Sequence, residues 1–247
     1  VAHIDTAAEA GRYSGFETLS MDGTLDVSLV SGINSLALTG NSTITKASAA
    51  MAGAVQASAD IGNTSIALTS STGTADVLNL QMGTGLLATE ATDITGLTAN
   101  GFETINIQTN AGPSATAANK KTDIASFTAN KVTAINLTGT QEDIANAATT
   151  LAVTIDGTAL TGNGAATSLG LDVSGNLVAG STVKGSAVVD AFDLGTVGST
   201  YQGNAGNDSF NATAVTQLEN GAVWNTIDGG DGTDTVKVTA SAVTLAD

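Results

Sequence analysis

The sequence predicts an all-β chain folded as a parallel β-solenoid, and three observations lead to this prediction. Short segments of about five residues alternate apolar with small polar side chains, the period of a strand with one buried face and one solvated face. Aromatic residues make up only 3% of the 247 residues, so a core of Ala, Val, Leu and Ile must be narrow. A glycine-rich nonapeptide near the C-terminus is typical of stacked solenoid turns.

The strand pattern recurs along the chain, and apolar residues separated by one polar residue are predicted to face inward. If each coil takes roughly 18 to 30 residues, the chain makes on the order of ten coils. An interval of 18 links Ile135, Val153, Leu171 and Val189 and is a plausible length for one coil. The predicted inward sets are Leu19 with Met21, Val27 with Leu29, Leu36 with Leu38, Ile66 with Leu68, Leu78 with Leu80, Ile105 with Ile107, Leu151 with Val153 and Ile155, and Val236 with Val238.

An internal repeat and a change of motif organise the chain. Residues 15–21 and 101–107 both read Gly-Phe-Glu-Thr followed by a strand pattern, which makes them an internal repeat. We divide the chain into a β-solenoid with irregular coils over residues 1–200 and glycine-rich coils, which contain the nonapeptide, over residues 201–247. The second part is predicted to continue the first without a break.

Two segments depart from the strand pattern. Residues 46–60 are rich in Ala, and Thr140 precedes Glu142 and Asp143 as an N-cap would precede acids in a first helical turn, so both places predict short helices. Residues 109–121 contain Gly, Pro and a Lys pair and predict an exposed loop.

Composition excludes several classes of function. The chain has 23 acidic against 7 basic residues, a formal net charge of −16, one histidine and no cysteine. Cysteine nucleophiles, disulfides, iron–sulfur clusters and Cys/His zinc sites therefore lack their side chains. The negative charge repels phosphate, so nucleic acid and anionic membranes are poor partners, and no apolar run is long enough for a membrane helix. Cations are the expected partners.

The sharpest motif is Gly-Gly-Asp-Gly-Thr-Asp-Thr-Val-Lys at residues 229–237, which matches the G-G-x-G-x-D-x-U-x repeat in full. Its glycines permit positive φ and turn carbonyl oxygens toward one point, while Asp234 adds an anionic oxygen and Val236 begins the anchoring strand. Calcium takes six to eight oxygen ligands, and one such turn supplies about half of them.

The remaining oxygens are expected from an equivalent turn at residues 203–211, Gly-Asn-Ala-Gly-Asn-Asp-Ser-Phe-Asn. Asn204 replaces the second glycine, and Asn tolerates left-handed geometry. The turn lies 26 residues upstream, which predicts one coil with an insertion of about eight residues around 217–224. The alternative is a pair of ordinary Gly-rich turns without metal, and it is favoured if the insertion stops the turns from stacking.

Other acidic residues carry weaker signals. Asp22, Asp26 and Asp76 lie beside or near glycines, where an aspartate usually caps its own turn, so a structural role is the leading interpretation of each. Asp190 and Asp193 flank an aromatic residue and fit either a structural or a metal-binding role.

An enzymatic interpretation has little support in the sequence. The single histidine, His3, is predicted to be exposed, and no serine has a histidine partner by sequence. Carboxylates are numerous enough to imitate a glycosidase on a parallel β-helix. Carbohydrate clefts usually need stacking rings, however, and only Tyr13, Tyr201 and Trp224 offer a polar one.

These residues resemble those of RTX-type surface-layer (S-layer) proteins of Gram-negative bacteria, of the Caulobacter type. The resemblance rests on the repeated strands at 15–21 and 101–107, on Gly-Thr-Ala-Asp-Val-Leu-Asn-Leu at 73–80, and on the closing Gly-Asp turns. It implies export by type I secretion, calcium-dependent folding outside the cell, and self-association into a lattice at the bacterial surface. It also implies a link to cell-surface polysaccharide through regions outside this segment.

The resemblance further implies a ligand set for calcium. It assigns side-chain ligands to two aspartates and backbone oxygens to four residues. These are Asp208 and Asp234 for the side chains, and Gly203, Ala205, Gly229 and Asp231 for the backbone.

We therefore predict a structural protein without catalytic activity: a segment of a secreted, calcium-stabilised S-layer protein. Val1 in place of Met, and an end at Asp247 within strand-like sequence, predict that the segment belongs to a longer chain. The cytosol holds too little calcium to neutralise the acidic turns, so the chain would fold only after export. Ions would also bridge the acidic faces of neighbouring copies.

Two alternatives remain open. One is a stalk segment of a large RTX adhesin, although adhesin extenders repeat whole domains and the 86-residue offset here is similar only locally. The other is a polysaccharide lyase or hydrolase on a parallel β-helix, which would show a groove lined by carboxylates and an aromatic ring.

Overall fold

A computed structural model describes residues 6–83, 92–110, 122–140, 142–162, 169–195 and 197–239. The all-β prediction is confirmed, because strands dominate these residues and nearly all of them belong to one large parallel sheet. The two α-helices span four residues each, α1 (Ala7–Ala10) and α2 (Ala49–Ala52).

The strands follow one another along the chain with short connections. They are β1 (Thr18–Asp26), β2 (Ser35–Ala47), β3 (Val55–Ala57), β4 (Ile61–Leu68), β5 (Val77–Met82), β6 (Asp93–Thr98), β7 (Thr104–Thr109), β8 (Thr122–Ile124), β9 (Phe127–Ala129), β10 (Ala134–Gly139), β11 (Glu142–Thr149), β12 (Thr154–Leu160), β13 (Leu169–Asn176), β14 (Thr182–Lys184), β15 (Val189–Asp193), β16 (Thr200–Gln202), β17 (Ser209–Ala212), β18 (Glu219–Asn220), β19 (Val223–Trp224), β20 (Thr226–Asp228) and β21 (Thr235–Val238).

The strands form two parallel ladders, joined at β1 and β2, which run in both. The first ladder stacks β1, β2, β3, β5, β7, β10, β12, β14, β16 and β20. The second stacks β1, β2, β4, β6, then β8 with β9, and then β11, β13, β15, β17 and β21. The chain alternates between the ladders, so the sheet is solenoid-like, with about the expected ten rungs.

Coil length varies along the stack. The register offset between neighbouring rungs is 17 residues from Leu19 to Leu36 and 30 residues from Ile107 to Leu137. The 18-residue interval from Ile135 to Val153 is wrong, because Ile135 pairs with Ile155. The apolar pattern alone does not fix where a connection of variable length ends.

One hydrophobic core fills the space between the ladders. Side chains at equivalent positions stack on one another from rung to rung, and burial of each large aliphatic side chain contributes about 2 kcal/mol. The first ladder contributes Ile105, Ile135, Ile155, Val183 and Tyr201, and the second contributes Ile94, Ile124, Ile144, Val173, Phe192 and Phe210, all fully or almost fully buried. The Phe192 ring lies 5.2 Å from the Phe210 ring and 6.2 Å from the Tyr201 ring between centroids.

Several predicted elements differ from the structure. Val27–Leu29 is a 3-10 turn and not a strand, because the carboxylate of Asp26 accepts the N–H of Ser28 and caps the turn. Leu151 is 44% exposed and precedes β12, so it does not face inward. Val236 is 49% exposed, because β21 is the last described rung of its ladder.

The two helix predictions have different outcomes, because the short helix predicted within residues 46–60 is present and the one predicted after Thr140 is not. Only Ala49–Ala52 of the Ala-rich segment is helical, and the chain returns to a strand at Val55. The stretch after Thr140 is strand β11, which pairs with rungs on both sides. Ladder hydrogen bonds from two neighbours outweigh a weak helical propensity. Most of the predicted loop at 109–121 lies outside the described residues.

Strand pairing runs without interruption across the predicted boundary at residue 200. Strand β16 (Thr200–Gln202) pairs with β14 on one side and with β20 on the other. The division into two regions therefore stays a prediction about calcium and not about separate cores.

Candidate metal centre

The two glycine-rich turns stack on each other. The N–H of Asp231 donates to the carbonyl oxygen of Asn204 at 2.8 Å, and the N–H of Gly206 donates to the carbonyl oxygen of Asp231 at 2.9 Å. Ala205 and Asp231 form a parallel bridge. The intervening coil accommodates its extra residues in a 3-10 turn, Val215–Gln217, and in the antiparallel β18–β19 hairpin. The insertion therefore does not separate the turns.

A column of three aspartates runs along the same corner of the coils. Each carboxylate accepts a backbone N–H from the preceding coil: Asp190 Oδ1 from Leu171 at 2.6 Å, Asp208 Oδ1 from Asp190 at 2.8 Å, and Asp234 Oδ1 from Asp208 at 3.0 Å. Bonds from N–H groups to a carboxylate are stronger than those between neutral groups. The column therefore ties each coil to the next.

Gly203 leaves space in which two oxygens approach each other. A Cβ atom on Gly203 would collide with Asp208 Oδ2 and with the carbonyl oxygen of Gly229 on the following coil. Asp208 is 1% exposed, and its Oδ2 receives no hydrogen bond from any described residue. A buried carboxylate oxygen without a donor is costly. Its position beside a carbonyl oxygen is what a cation site requires.

The turn at Gly185, one coil earlier, has the same geometry, but its carboxylate receives hydrogen bonds on both oxygens. A Cβ on Gly185 would collide with Asp190 Oδ2 and come within 2.7 Å of the Gly203 carbonyl oxygen. Here Asp190 Oδ2 accepts the N–H of Ser186 at 2.7 Å, and Oδ1 accepts the Ser186 hydroxyl at 2.9 Å. Asp190 is therefore supplied with donors by the protein, whereas Asp208 Oδ2 is not.

Burial raises the pKa of both carboxyls. The pKa of Asp190 rises to about 7 because burial outweighs the N–H bonds from Leu171 and Ser186, and the charge of Asp208 adds to the rise. Burial likewise raises the pKa of Asp208, opposed by the Asp190 N–H and reinforced by the charge of Asp234. Both carboxyls are stabilised by a proton or by a nearby cation.

The six predicted ligands are not equally placed. Asp208 and the Gly229 carbonyl oxygen converge, and Asp234 Oδ1 is occupied by the N–H of Asp208. Asp231 is exposed, and its carbonyl oxygen already accepts the N–H of Gly206. Ala205 lies in the bridge with Asp231.

The atoms at this corner that could bind a metal ion are all oxygens, which suits a hard divalent cation such as calcium. Among the described residues no three carboxylate or imidazole side chains converge as a ready metal cluster. A calcium ion here would therefore take Asp208, carbonyl oxygens of the stacked turns and water to reach six to eight ligands.

The weaker acidic candidates have other partners or lie alone. Asp26 bonds to Ser28 and to Lys46, whose ammonium lies 2.6 Å away and lowers the pKa of the carboxyl. Asp22 is exposed over Gly40 of the next coil, and Asp193 is exposed at the end of its strand. The structural interpretation therefore fits Asp26 best.

Asp76 is the exception among these weaker candidates. Its N–H donates to Glu103 Oε2 at 2.8 Å, while its own Oδ2 is enclosed and has no hydrogen-bond partner among the described residues. Glu103 is itself paired with Lys131 at 3.4 Å, so this turn offers too few free oxygens for calcium.

The turn at Gly185 was missed in the sequence because it lacks the other glycines of the nonapeptide. Its signal is spacing: Asp190 follows Gly185 by five residues, as Asp208 follows Gly203 and Asp234 follows Gly229. Only the first glycine and the aspartate are needed to place a carboxylate over the next coil.

A shallow groove of about 580 Å³ lies along the outer face of the first ladder. Amides and hydroxyls line it together with apolar atoms, and the amides include Asn79, Asn106 and Asn136, whose side chains bond in series at 2.7 and 2.8 Å. No carboxylate and no aromatic ring lines this groove. It therefore lacks the groups expected of a carbohydrate-cleaving cleft.

Comparison of the chain with protein-family models, with curated proteins and with solved structures gives no match. No helix in the described ranges combines the length and hydropathy needed to cross a membrane.

Proposed function

We propose that this chain is a calcium-stabilised parallel β-solenoid with a structural role, a segment of a secreted S-layer protein. The observation that carries the proposal is the buried Asp208 Oδ2, which lies beside the Gly229 carbonyl oxygen and has no donor among the described residues. A calcium ion at this corner would join the two stacked turns. The coils that follow Asp190 would then close only when calcium is present.

The mechanism is thermodynamic linkage. Calcium that binds the folded state but not the unfolded chain stabilises folding by about 2.7 kcal/mol for each site at roughly 100 times its Kd. Where calcium is scarce, the buried carboxylates must instead take up protons or remain uncompensated. Export as an unfolded chain and folding in external calcium follow from this difference.

Charge supports the assembly part of the proposal. A net charge of −16 makes copies of the chain repel one another, and divalent ions between acidic faces offset this repulsion. On the outer face of the first ladder Asn79, Asn106 and Asn136 form an amide series, and the next two rungs of the same column carry the ion pair of Asp156 and Lys184. Such a face suits broad packing against another copy without burying unpaired ions.

The test is a calcium titration after EGTA treatment, followed by far-ultraviolet circular dichroism, light scattering and negative-stain electron microscopy. We expect calcium, and not magnesium, to increase the β signal and then to produce ordered sheets. Asp208→Asn should weaken the response. Asp193→Asn, which removes the same charge from an exposed site, should not.

The outcomes separate the proposal from its rivals. Calcium-dependent folding without ordered assembly supports a stalk segment of an RTX adhesin. A fold and solution state indifferent to calcium would rule out the metal-linked mechanism for both.

A further inference from the structure

Exposed apolar side chains are concentrated in the first and last coils of the described stack. Tyr13 and Phe16 precede β1, while Val223, Trp224 and Val236 belong to the last coil. Among the described residues, Val77 and Leu151 are the only large apolar side chains of high exposure that lie elsewhere. Single exposed apolar residues are ordinary, but exposed clusters mark interaction surfaces.

The first coils carry a mainly apolar pocket of about 300 Å³, which is enough room for an indole ring. The internal repeat shows what is unusual about it. Phe102 holds the position of Phe16 in the second copy of the repeat and is 0% exposed, whereas Phe16 is 57% exposed. Phe16 thus lacks the cover that Phe102 has inside the stack. The apolar residues that line the pocket are Tyr13, Phe16, Leu19, Val30 and Ile33.

Trp224 lies at the opposite end of the stack on a fixed support. It is the only tryptophan of the chain and is 58% exposed in the β18–β19 hairpin, next to the exposed Val223. The buried side chain of Asn225 anchors the hairpin, because it accepts the N–H of Ser199 at 2.8 Å and donates to the carbonyl oxygen of Gln217 at 2.6 Å. An aromatic side chain on such a support loses little conformational entropy when it binds a partner.

We propose that Trp224 of one copy of this chain inserts into the pocket at Phe16 of the next copy. The contact depends on the self-association in the proposed function, for which it supplies the two surfaces. Phe16 and Trp224 each lie just before a strand of the first ladder, at opposite ends of the stack, so the contact joins the last coil of one copy to the first coil of the next. Such a head-to-tail contact extends into a row of copies unless a rotation closes it into a ring.

Charge favours a second copy as the occupant of the pocket. Copies with a net charge of −16 repel one another, so they approach best where apolar or oppositely charged groups meet. Arg12, the only arginine of the chain, is exposed next to Tyr13 of the pocket, and Asp228 is exposed in the strand that follows Trp224. Head-to-tail contact brings these opposite charges to the same interface, whereas contact between two Trp224 ends brings Asp228 of each copy together.

The fluorescence of the single tryptophan measures this contact directly. As the protein concentration increases in calcium, the emission of Trp224 should move to shorter wavelength and its quenching by acrylamide should fall, because the indole ring leaves water. Phe16→Ser should raise the concentration of the half-maximal shift by about tenfold and, since Phe16 is mostly exposed, should keep the circular dichroism of the wild type. Leu151→Ser removes an exposed apolar side chain from the middle of the stack and is the matched control, which should leave the shift unchanged.

Cross-linking identifies which ends meet. The chain has no cysteine, so one cysteine can be introduced at a time. Ser31 lines the pocket, and Val223 lies beside Trp224. A mixture of Ser31→Cys and Val223→Cys proteins should form a disulfide-linked dimer under mild oxidation, whereas neither variant should do so alone. Dimers formed by Val223→Cys alone would overturn the head-to-tail contact.

Failure of this contact and failure of the proposed function give different results. Assembly in calcium while Trp224 stays accessible to acrylamide would overturn the contact and leave the S-layer proposal intact. An equal loss of assembly in Leu151→Ser would indicate general apolar aggregation and would also overturn the contact. Burial of Trp224 to the same extent in calcium and in EGTA would support the contact and contradict the calcium-linked mechanism. A monomer at every concentration in calcium would overturn both the contact and the self-association.

Discussion

The first and last coils of the molecule use the same packing device with different chemistry. In the first coils, the side-chain oxygen of Asn41 lies in the space left by Gly62 and accepts the N–H of Asn63 at 2.8 Å. In the last coils, the side-chain oxygen of Asp208 lies in the space left by Gly203. In both places a glycine without a Cβ makes room for a polar side chain between coils.

The difference between the two regions is charge. An amide oxygen is neutral, so the Asn41 corner is complete once its hydrogen bond forms. A buried carboxylate makes stronger hydrogen bonds but also needs a proton or a cation to offset its desolvation. If the proposed calcium site exists, stacking of the first coils should be independent of ions and stacking of the last coils should depend on them.

Removal of calcium should have the largest effect on the stability of the last coils. If the stacked turns bind calcium, EGTA removes about 3 kcal/mol of stability at a free calcium concentration of roughly 100 times Kd. For a chain of this size the expected fall in Tm is on the order of 10 °C. Differential scanning calorimetry with and without calcium measures it, and equal Tm values would contradict the ionic account.

Asp208→Asn should abolish most of this calcium response. Without calcium the variant should be at least as stable as the wild type, because it removes a buried carboxylate that lacks a donor. With calcium it should be less stable by about 2 kcal/mol. Chemical denaturation at both calcium levels measures the difference, with Asp193→Asn as the control. A loss of stability that is equal in both conditions would point to packing alone.

Alanine substitution of Gly203 and of Gly62 should destabilise the last coils more than the first coils. Gly203→Ala places its Cβ against a backbone carbonyl as well as a side chain, and should cost about 1–3 kcal/mol. Gly62→Ala meets only the exposed Asn41 side chain, which can turn away, and should cost less than about 1 kcal/mol. Urea unfolding of both variants tests this order, and the reverse order would contradict the close stacking of the last turns.

Without calcium, the change of Tm with pH should be smaller than the change of Tm on calcium removal. Folded Asp190 holds its proton up to about pH 7, whereas an unfolded aspartate releases it near 3.9. The proton's contribution to stability is therefore complete below about pH 4 and is lost as pH rises through 7. We expect Tm in EGTA to be higher at pH 5 than at pH 8 by roughly 5–8 °C.

Two controls define this pH effect. Asp190→Asn should flatten the profile between pH 5 and 8, because the carboxamide does not titrate. Added calcium should also flatten it, since the ion replaces the proton. A Tm in EGTA that rises from pH 5 to pH 8 would contradict the direction of the shift.

Much of the architecture follows from the sequence. The alternation of apolar and small polar residues predicts the strands, and the position of Ile105 and Ile107 in a shared core is confirmed. Coil lengths are not predictable in this way, because connections of different length join strands with the same pattern. The exposed Leu151 shows that an apolar residue beside a strand can lie outside the core, and the capped turn after Asp26 shows that a buried apolar residue such as Val27 need not belong to a strand.

The candidate site is predictable only in part. The glycine-rich turns at Gly203 and Gly229 follow from their motif, and their stacking is visible in the structure. Asp190 and Glu142 belong to the same corner without a full glycine motif around them: Asp190 has only its spacing from Gly185 as a signal, and Glu142 is identified by strand register alone. A column of residues along a solenoid is a property of three dimensions and leaves little trace in a single coil.

Hydrogen–deuterium exchange with and without calcium, resolved by peptide, tests the central claim most directly. Calcium should increase protection of residues 182–239, where the buried carboxylate corner lies, and should leave residues 18–83, where every acid is at least partly exposed, unchanged. Equal protection of residues 182–239 in calcium and in EGTA would contradict the claim that a cation completes the stacked turns.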